Sequence, residues 1–438
     1  MLGSTYIEDE KLFLEKIYFG SNNLNSNKEG TIKLAKLFDQ AKMNPDLYVL
    51  YFLWPIVIAP KEIQFIIICL LLFNLLRRHK LYFDIVGYLM IVFMAIYLFS
   101  IVYNLIFNQY ELERIVATIN TFSIWLFALL FYLIFKVIHV DFEEIKKAAY
   151  INYCILIIIW LCSLIVYLIT KTANFSILNK MLYYNEWFDD RSVIRFVGFM
   201  DYPNLIIMFF MFFYPLFLLY LRNFKNGAVK VLLAVLGLLP ILTTFSRSGY
   251  AVAIAYLFLL LIYHIYHKVN RKFFVTMTLF ATSSLIFLCF YTNLPNYIVT
   301  ILYELFNARE GSNESRTYLM RESIRMTLME SPLIGMGVKE TSAIGYPLGS
   351  HSTYVGFFYK TGIIGFILGC TIFITIGLKI IFSVRSKEKT VLKIALFMML
   401  PLLIVEDIDG SNWLIVMYFL LVAIVFNKTA NVCKERPT

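Results

Sequence analysis

Apolar stretches separated by short polar breaks recur along the chain, at about 47–59, 63–76, 81–107, 115–138, 148–170, 199–221, 229–245, 249–265, 273–291, 353–382, 391–405 and 413–426. A helix needs about 20 apolar residues to cross a bilayer, and most of these runs approach or exceed that length. The pattern predicts an all-α polytopic integral membrane protein with about 12 transmembrane helices. The first two runs are short and joined by Pro60-Lys61-Glu62, which fits either a tight hairpin of spans or a re-entrant pair. The predicted organisation is an N-terminal segment 1–46, a membrane domain 47–426 and a tail 427–438. Two connections, 171–198 and 292–352, are too long to be mere links, and long loops in compact structures tend to carry function. Within the second, Ser315–Met326 contains neither Gly nor Pro, and Ser331-Pro332 closes the stretch, so a helix is expected there.

Composition supports the membrane reading. Of 438 residues 60% are hydrophobic and 16% charged, with mean hydropathy +0.73, whereas soluble domains carry about 25% charged residues. A net charge of +10 would suggest nucleic acid in a soluble chain, but here Lys and Arg first serve as topology signals, and no nucleic-acid partner is expected. With the N-terminus inside, inner loops hold about twice as many Lys and Arg as outer loops, so both termini are expected to be cytoplasmic. Loops 171–198 and 292–352 then lie on the outer face. The N-terminal segment is acidic and amphiphilic and does not look like a cleavable signal peptide. Its amphipathic stretch Thr31–Lys42 suits the inner leaflet. Five of six Cys fall inside apolar runs, with no disulfide or zinc pattern, and no cofactor is expected. Rich use of Ile, Lys, Asn, Phe and Tyr points to an AT-rich bacterial source.

Candidate chemistry concentrates on the outer side. His79, His139, His264 and His267 stand at inner ends beside Lys or Arg and read as interfacial residues. His351 is the only outer His, at the entrance of the tenth run, in Gly349-Ser350-His351-Ser352-Thr353-Tyr354. Arg247 stands in a brief outer turn, Thr243-Thr244-Phe245-Ser246-Arg247-Ser248-Gly249, which needs Ser and Gly but not Arg. Arg195 precedes Gly198 and Pro203-Asn204, where a helix is broken at the bilayer boundary; irregular backbone there is tolerated against protein or a wet cavity. Arg316, Arg321 and Arg325 follow on the outer-loop helix. An exposed cation is ordinarily a solvated residue or a lipid anchor. Several guanidinium groups converging with one His suggest instead recognition of a phosphate, which Arg binds through paired hydrogen bonds. Asp201, Glu406, Asp407 and Asp409 are the nearby carboxylates; their spacing is not a metal-ligand pattern, and they could orient an Arg or bind sugar hydroxyls.

At these residues the chain resembles the bacterial O-antigen ligase and polysaccharide polymerase (Wzy-type) family. The matching pieces are Arg195-x-x-Gly198 with Pro203-Asn204; Thr244-x-Ser246-Arg247; Ser315-Arg316 followed by Ser331-Pro332-Leu333-Ile334-Gly335-Met336-Gly337; and His351-Ser352-x-Tyr354 followed by Gly362-Ile363-Ile364-Gly365. They cover about 195–365. Ser352 departs from the pattern, since the family often has Asn there. The resemblance implies a GT-C-like, metal-independent glycosyltransferase of the cytoplasmic membrane, using undecaprenyl-diphosphate-linked saccharides as donor and acceptor. It implies catalytic roles for His351, Arg247 and Arg316, and substrate binding by Arg195, Asn204, Tyr354 and Arg321. Membrane lipid, a chain-length regulator and a flippase are the partners it suggests.

The expected activity is polymerisation of a capsule or O-antigen type polysaccharide. A ligase passing finished glycan to a lipid A-core or other acceptor fits the same motifs. A flippase for the same lipid-linked sugars is the rival from another class. Transporters tend to place ionisable groups near the midplane and to repeat their halves. Here Asp84 and Lys360 lie inside long apolar runs but near a boundary, and no repeat is visible.

Overall fold

The computed structural model describes residues 44–172, 175–178, 180–188, 191–293, 295–297, 299–300, 303, 310–383, 387–408 and 413–427. The chain divides into Met1–Pro45 and Asp46–Thr438. The first unit, with the expected amphipathic stretch Thr31–Lys42, lies outside the described residues apart from Asn44 and Pro45, as does the tail from 428.

In the second unit the helices are α1 (Tyr48–Tyr51), α2 (Leu53–Ile58), α3 (Lys61–Arg78), α4 (Ile85–Phe107), α5 (Leu112–Phe135), α6 (Phe142–Thr170), α7 (Asn204–Leu221), α8 (Gly227–Leu236), α9 (Leu239–Leu242), α10 (Arg247–Lys268), α11 (Arg271–Tyr291), α12 (Glu310–Glu330), α13 (Thr353–Phe382), α14 (Lys387–Val405) and α15 (Leu414–Phe426). This is an all-α polytopic membrane protein. Every apolar run of the sequence is helical, but among the described residues seven helices are long and apolar enough to span: α4, α5, α6, α7, α10, α11 from Lys272, and α13. The run at 47–59 is divided at Phe52, where Pro55 has no N–H to continue the ladder. The run at 229–245 is likewise divided, between Gly237 and Pro240.

Helices α7 and α15 are apolar all round and almost wholly buried, which marks them as the centre of the bundle. Around them α5 packs on α15, α6 on α7, α4 on α13, and α14 on both α7 and α10. By contrast α11 exposes Phe280 and Phe290 at 74% and 83%, a surface suited to lipid and not to water.

The segment 171–198 is not an irregular loop. It forms two antiparallel hairpins, β1 (Ser176–Ile177) with β2 (Lys180–Met181), and β3 (Tyr183–Phe188) with β4 (Arg191–Phe196). Aromatic and β-branched residues (Tyr183, Tyr184, Val193, Ile194, Phe196) favour the longer ladder.

The Ser331-Pro332 stop does close α12, and the chain after it crosses a break in α13. Gly362, at φ +61°, interrupts that helix. The freed carbonyls of Tyr359 and Lys360 accept from Met336 N (2.7 Å) and Gly337 N (3.0 Å), while Ile363 N donates to Pro332 O at 2.9 Å. Asn104 Nδ2 on α4 donates to Gly335 O at 2.9 Å, and Ser100 Oγ donates to Lys360 O at 2.8 Å. The two backbones touch: a Cβ on Gly335 would collide with Thr361 and Gly362, and one on Gly362 with Leu333. The glycines of Gly335-x-Gly337 and Gly362 are thus demanded by this crossing. It fixes the chain that leads from α12 to His351.

Candidate functional site

The helices α7, α10 and α13 begin, and α14 ends, at one end of the bundle. Ser246 caps α10 by accepting from Gly249 N at 3.3 Å, which places Arg247 at the first helical position. Gly249 is needed because a Cβ there would run into Ile207 of α7. Thr243 O accepts from Phe196 N at 2.9 Å, tying the β4 hairpin to this turn. The adjacent Arg195 is buried, its Nε donating to Thr244 O (2.7 Å) and a terminal nitrogen to Asn204 Oδ1 (3.2 Å). Gly198 and Phe199, both at positive φ, turn the chain from β4 toward α7, where Asn204 is the first residue.

Glu406 lies at the centre. It follows α14 directly and is buried. Its Oε1 accepts from Asn204 Nδ2 at 2.7 Å and Ser248 Oγ at 3.0 Å. Arg316, on α12, has one nitrogen 3.6 Å from the same oxygen and donates to Val405 O at 3.3 Å. Three residues back on α12, Asn313 Oδ1 accepts from Arg247 at 3.0 Å. Burial pushes the Glu406 carboxyl up, partly offset by Arg316 and by its hydrogen bonds. The backbone carbonyl of Glu406 also accepts from Thr353 N (3.1 Å) and Thr353 Oγ1 (2.8 Å). One short turn therefore holds the starts of three helices.

His351 is two residues upstream of Thr353, at φ +65°, where a non-glycine residue is strained. Burial, then the Arg316 cation and Lys339, pull its imidazole down from 6.5 to about 4, with Asp407 opposing them. Its ring stands edge-to-face against Tyr346, centroids 6.4 Å apart. Lys339 Nζ is held by Asp407 Oδ2 at 2.9 Å, so the successive carboxylates Glu406 and Asp407 each engage one cation near His351.

The structure thus brings Arg195, Asn204, Arg247 and Arg316 together around Glu406, with His351 within the field of Arg316. Two of the expected substrate residues stand apart. The Tyr354 hydroxyl donates to Leu400 O at 3.2 Å within the packing of α13 on α14, with its ring against Phe357 and Phe373. Arg321 is exposed further along α12. Asp201 pairs with Lys180, and Asp409 lies outside the described residues. The roles of Ser248 and Asn313 in seating the arginines are not visible in the sequence, because their partners lie far along the chain. Among the described residues no group of three or more His, Cys, Asp or Glu is placed to hold a metal ion.

Fold and site together define a multi-pass membrane protein with an arginine and histidine centre at one end of its bundle. Residues 232–370 match the family model described as O-antigen ligase, so this segment is similar to the family that the motifs resemble. The match runs from α8 into α13 and carries Arg247, Arg316 and His351, while Arg195, Asn204 and Glu406 lie beyond it. No curated protein matches the chain.

Proposed function

We propose that this protein transfers a saccharide from a polyprenyl (undecaprenyl-type) diphosphate carrier to a sugar hydroxyl at the outer face of the bacterial cytoplasmic membrane. It acts there as a polymerase of surface polysaccharide. The observation that carries the reading is the gathering of Arg195, Arg247 and Arg316 about one turn, with His351 in the electrostatic field of Arg316. Guanidinium groups match phosphate oxygens in pairs and keep their charge at all working pH values. As the acceptor oxygen bonds to the anomeric carbon, the bond from that carbon to the donor diphosphate breaks. The electron pair leaves with the diphosphate, where Arg247 and Arg316 offset the developing charge, so the transfer is metal-independent. His351, neutral at pH 7, takes the proton from the attacking hydroxyl.

Sidedness rests on the excess of Lys and Arg in the loops at the other end of the spans. On that reading a flippase supplies the lipid-linked units and a chain-length regulator acts on the product. A ligase is the second reading, favoured by the description of the matching family model. A null strain complemented with wild type, His351→Ala, Arg247→Ala or Arg316→Ala, at matched membrane levels, separates them when its glycans are sized. A ladder reduced to single lipid-linked units on the outer face supports the polymerase. Long lipid-linked chains that never reach an acceptor support the ligase. Units trapped inside would mean a flippase, and wild-type behaviour of all three variants would remove the site.

A further inference from the structure

Between Lys339 and Gly349 the chain forms a small braced hairpin. Leu348 N donates to Glu340 O at 2.8 Å, Ser342 N to Tyr346 O at 2.9 Å, and Gly345 N to Ser342 O at 2.9 Å. Thr341 and Pro347 pair across it, and Gly345, at φ +80°, makes the reversal. Both ends are anchored to the site. Lys339 is held by Asp407, and Gly349 N donates to Ser323 Oγ of α12 at 2.7 Å. Leu348 is buried in a small core with Leu319, Met336 and Tyr359. The hairpin nevertheless leaves Ile344 and Tyr346 out of that core, 42% and 51% exposed. The Tyr346 ring stands beside the His351 imidazole.

We propose that this hairpin is the subsite for the acceptor saccharide, with Tyr346 as the surface on which a sugar ring stacks. The proposal rests on the glycosyl-transfer reading and adds where the second substrate sits. A pyranose is polar around its rim, but one face presents polarised C–H groups. Those groups are attracted to the electron-rich face of an aromatic ring, whose packing is directional. Tyr supplies such a face at low entropic cost, having two side-chain torsions, and the braced backbone reduces the cost further. The position suits the acceptor and not the donor diphosphate, because the ring adjoins the proton-accepting His351 while the guanidinium groups gather at Glu406.

The test uses the full-length protein in detergent micelles, with lipid-linked units extracted from a null strain as donor. The acceptor probe is the free oligosaccharide released from those units by mild acid, which can accept but cannot donate. Tyr346→Ala should raise the acceptor KM about threefold to tenfold, the range of an aromatic contact, and leave the donor KM in place. Tyr346→Phe keeps the ring and should recover most of that loss. Since Tyr346 is half exposed, neither change should impair folding, which thermal denaturation checks. An unchanged acceptor KM would remove the subsite. Equal rises in both KM values would assign the ring to the lipid carrier or the membrane surface and overturn it too. If wild type makes no product at all, the glycosyl-transfer reading fails first, and the subsite falls with it.

Discussion

Two carboxylates near opposite ends of α13, Asp84 partly buried and Glu406 buried, are handled in different ways. Asp84, which caps α4, accepts from Lys379 (2.8 Å), Tyr132 (3.0 Å) and Gly87 N (3.1 Å), and Lys136 lies 3.2 Å away. Every one of these is within reach of a hydrogen bond, and they tie α4, α5 and α13 together. Glu406 takes its short hydrogen bonds from the neutral Asn204 and Ser248, while Arg316 stays 3.6 Å away with its side chain 30% exposed. Both carboxylates are satisfied, but at the first end the cations are consumed in doing so. At the second the guanidinium is held more loosely, one nitrogen donating to Val405 O and standing 3.6 Å from Glu406. An ion pair closed on itself contributes structure; a cation held just short of its counter-charge keeps donors for a ligand.

The largest effect expected at the Glu406 end belongs to His351. His351→Ala should lower transfer by about 10²–10⁴-fold, the usual cost of losing a general base. Sizing the lipid-linked products at matched membrane levels checks this. Arg316→Ala should follow at about 10²–10³-fold, the cost of removing one positioned donor to a developing charge. Arg316→Lys should recover only part of it, since a point charge does not reproduce a planar fork. At the other end the pattern should invert. Asp84→Asn should cost about 1–3 kcal/mol of stability by removing the carboxylate charge that Lys136 and Lys379 share. Thermal denaturation of purified protein would show the loss, with transfer per folded molecule within about twofold of wild type. If Asp84→Asn abolishes transfer without loosening the fold, the contrast between the two ends is wrong.

The helical membrane fold was legible because a bilayer requires long apolar runs, and each run proved helical. What those runs did not reveal is where Pro55, Gly237 and Pro240 would break them. The β3–β4 hairpin was missed because a six-residue ladder leaves a weak pattern; its signal was the aromatic and β-branched content on either side of Asp189-Asp190. In the site, residue types carried most of the information: a guanidinium in a brief turn between two apolar runs, or a His at a helix entrance, is conspicuous without any structure. Partnerships were not legible. Glu406 gathers Asn204, Ser248 and Arg316 from segments about 90 to 200 residues away, and no local spacing encodes that. Tyr354 shows the converse, standing beside His351 in the motif while its hydroxyl serves helix packing.

The smallest and most diagnostic effect concerns pH. Burial and the Arg316 cation hold His351 down to about 4, below its ordinary 6.5. Protonation of this group therefore opposes folding: its contribution to stability is present above about pH 6.5 and is lost as pH falls toward 4. For catalysis, the imidazole of the free enzyme remains a base across the neutral range. A bound diphosphate offsets the Arg316 field, so the imidazole of the complex should titrate higher than that of the free enzyme. The acid limb of kcat/KM reports the free enzyme and that of kcat the complex, so the kcat limb should lie at the higher pH. Arg316→Ala removes both the cation and the group proposed to seat the diphosphate near His351, so it should raise the kcat/KM limb and narrow the gap. Glu406, whose carboxyl burial also pushes up, is the group that could imitate this, and Glu406→Gln is the control. If the gap persists in Glu406→Gln and narrows in Arg316→Ala, the Arg316 guanidinium is what meets the diphosphate. A gap that instead follows Glu406 would make the two ends of the bundle alike, each a carboxylate serving its own helices.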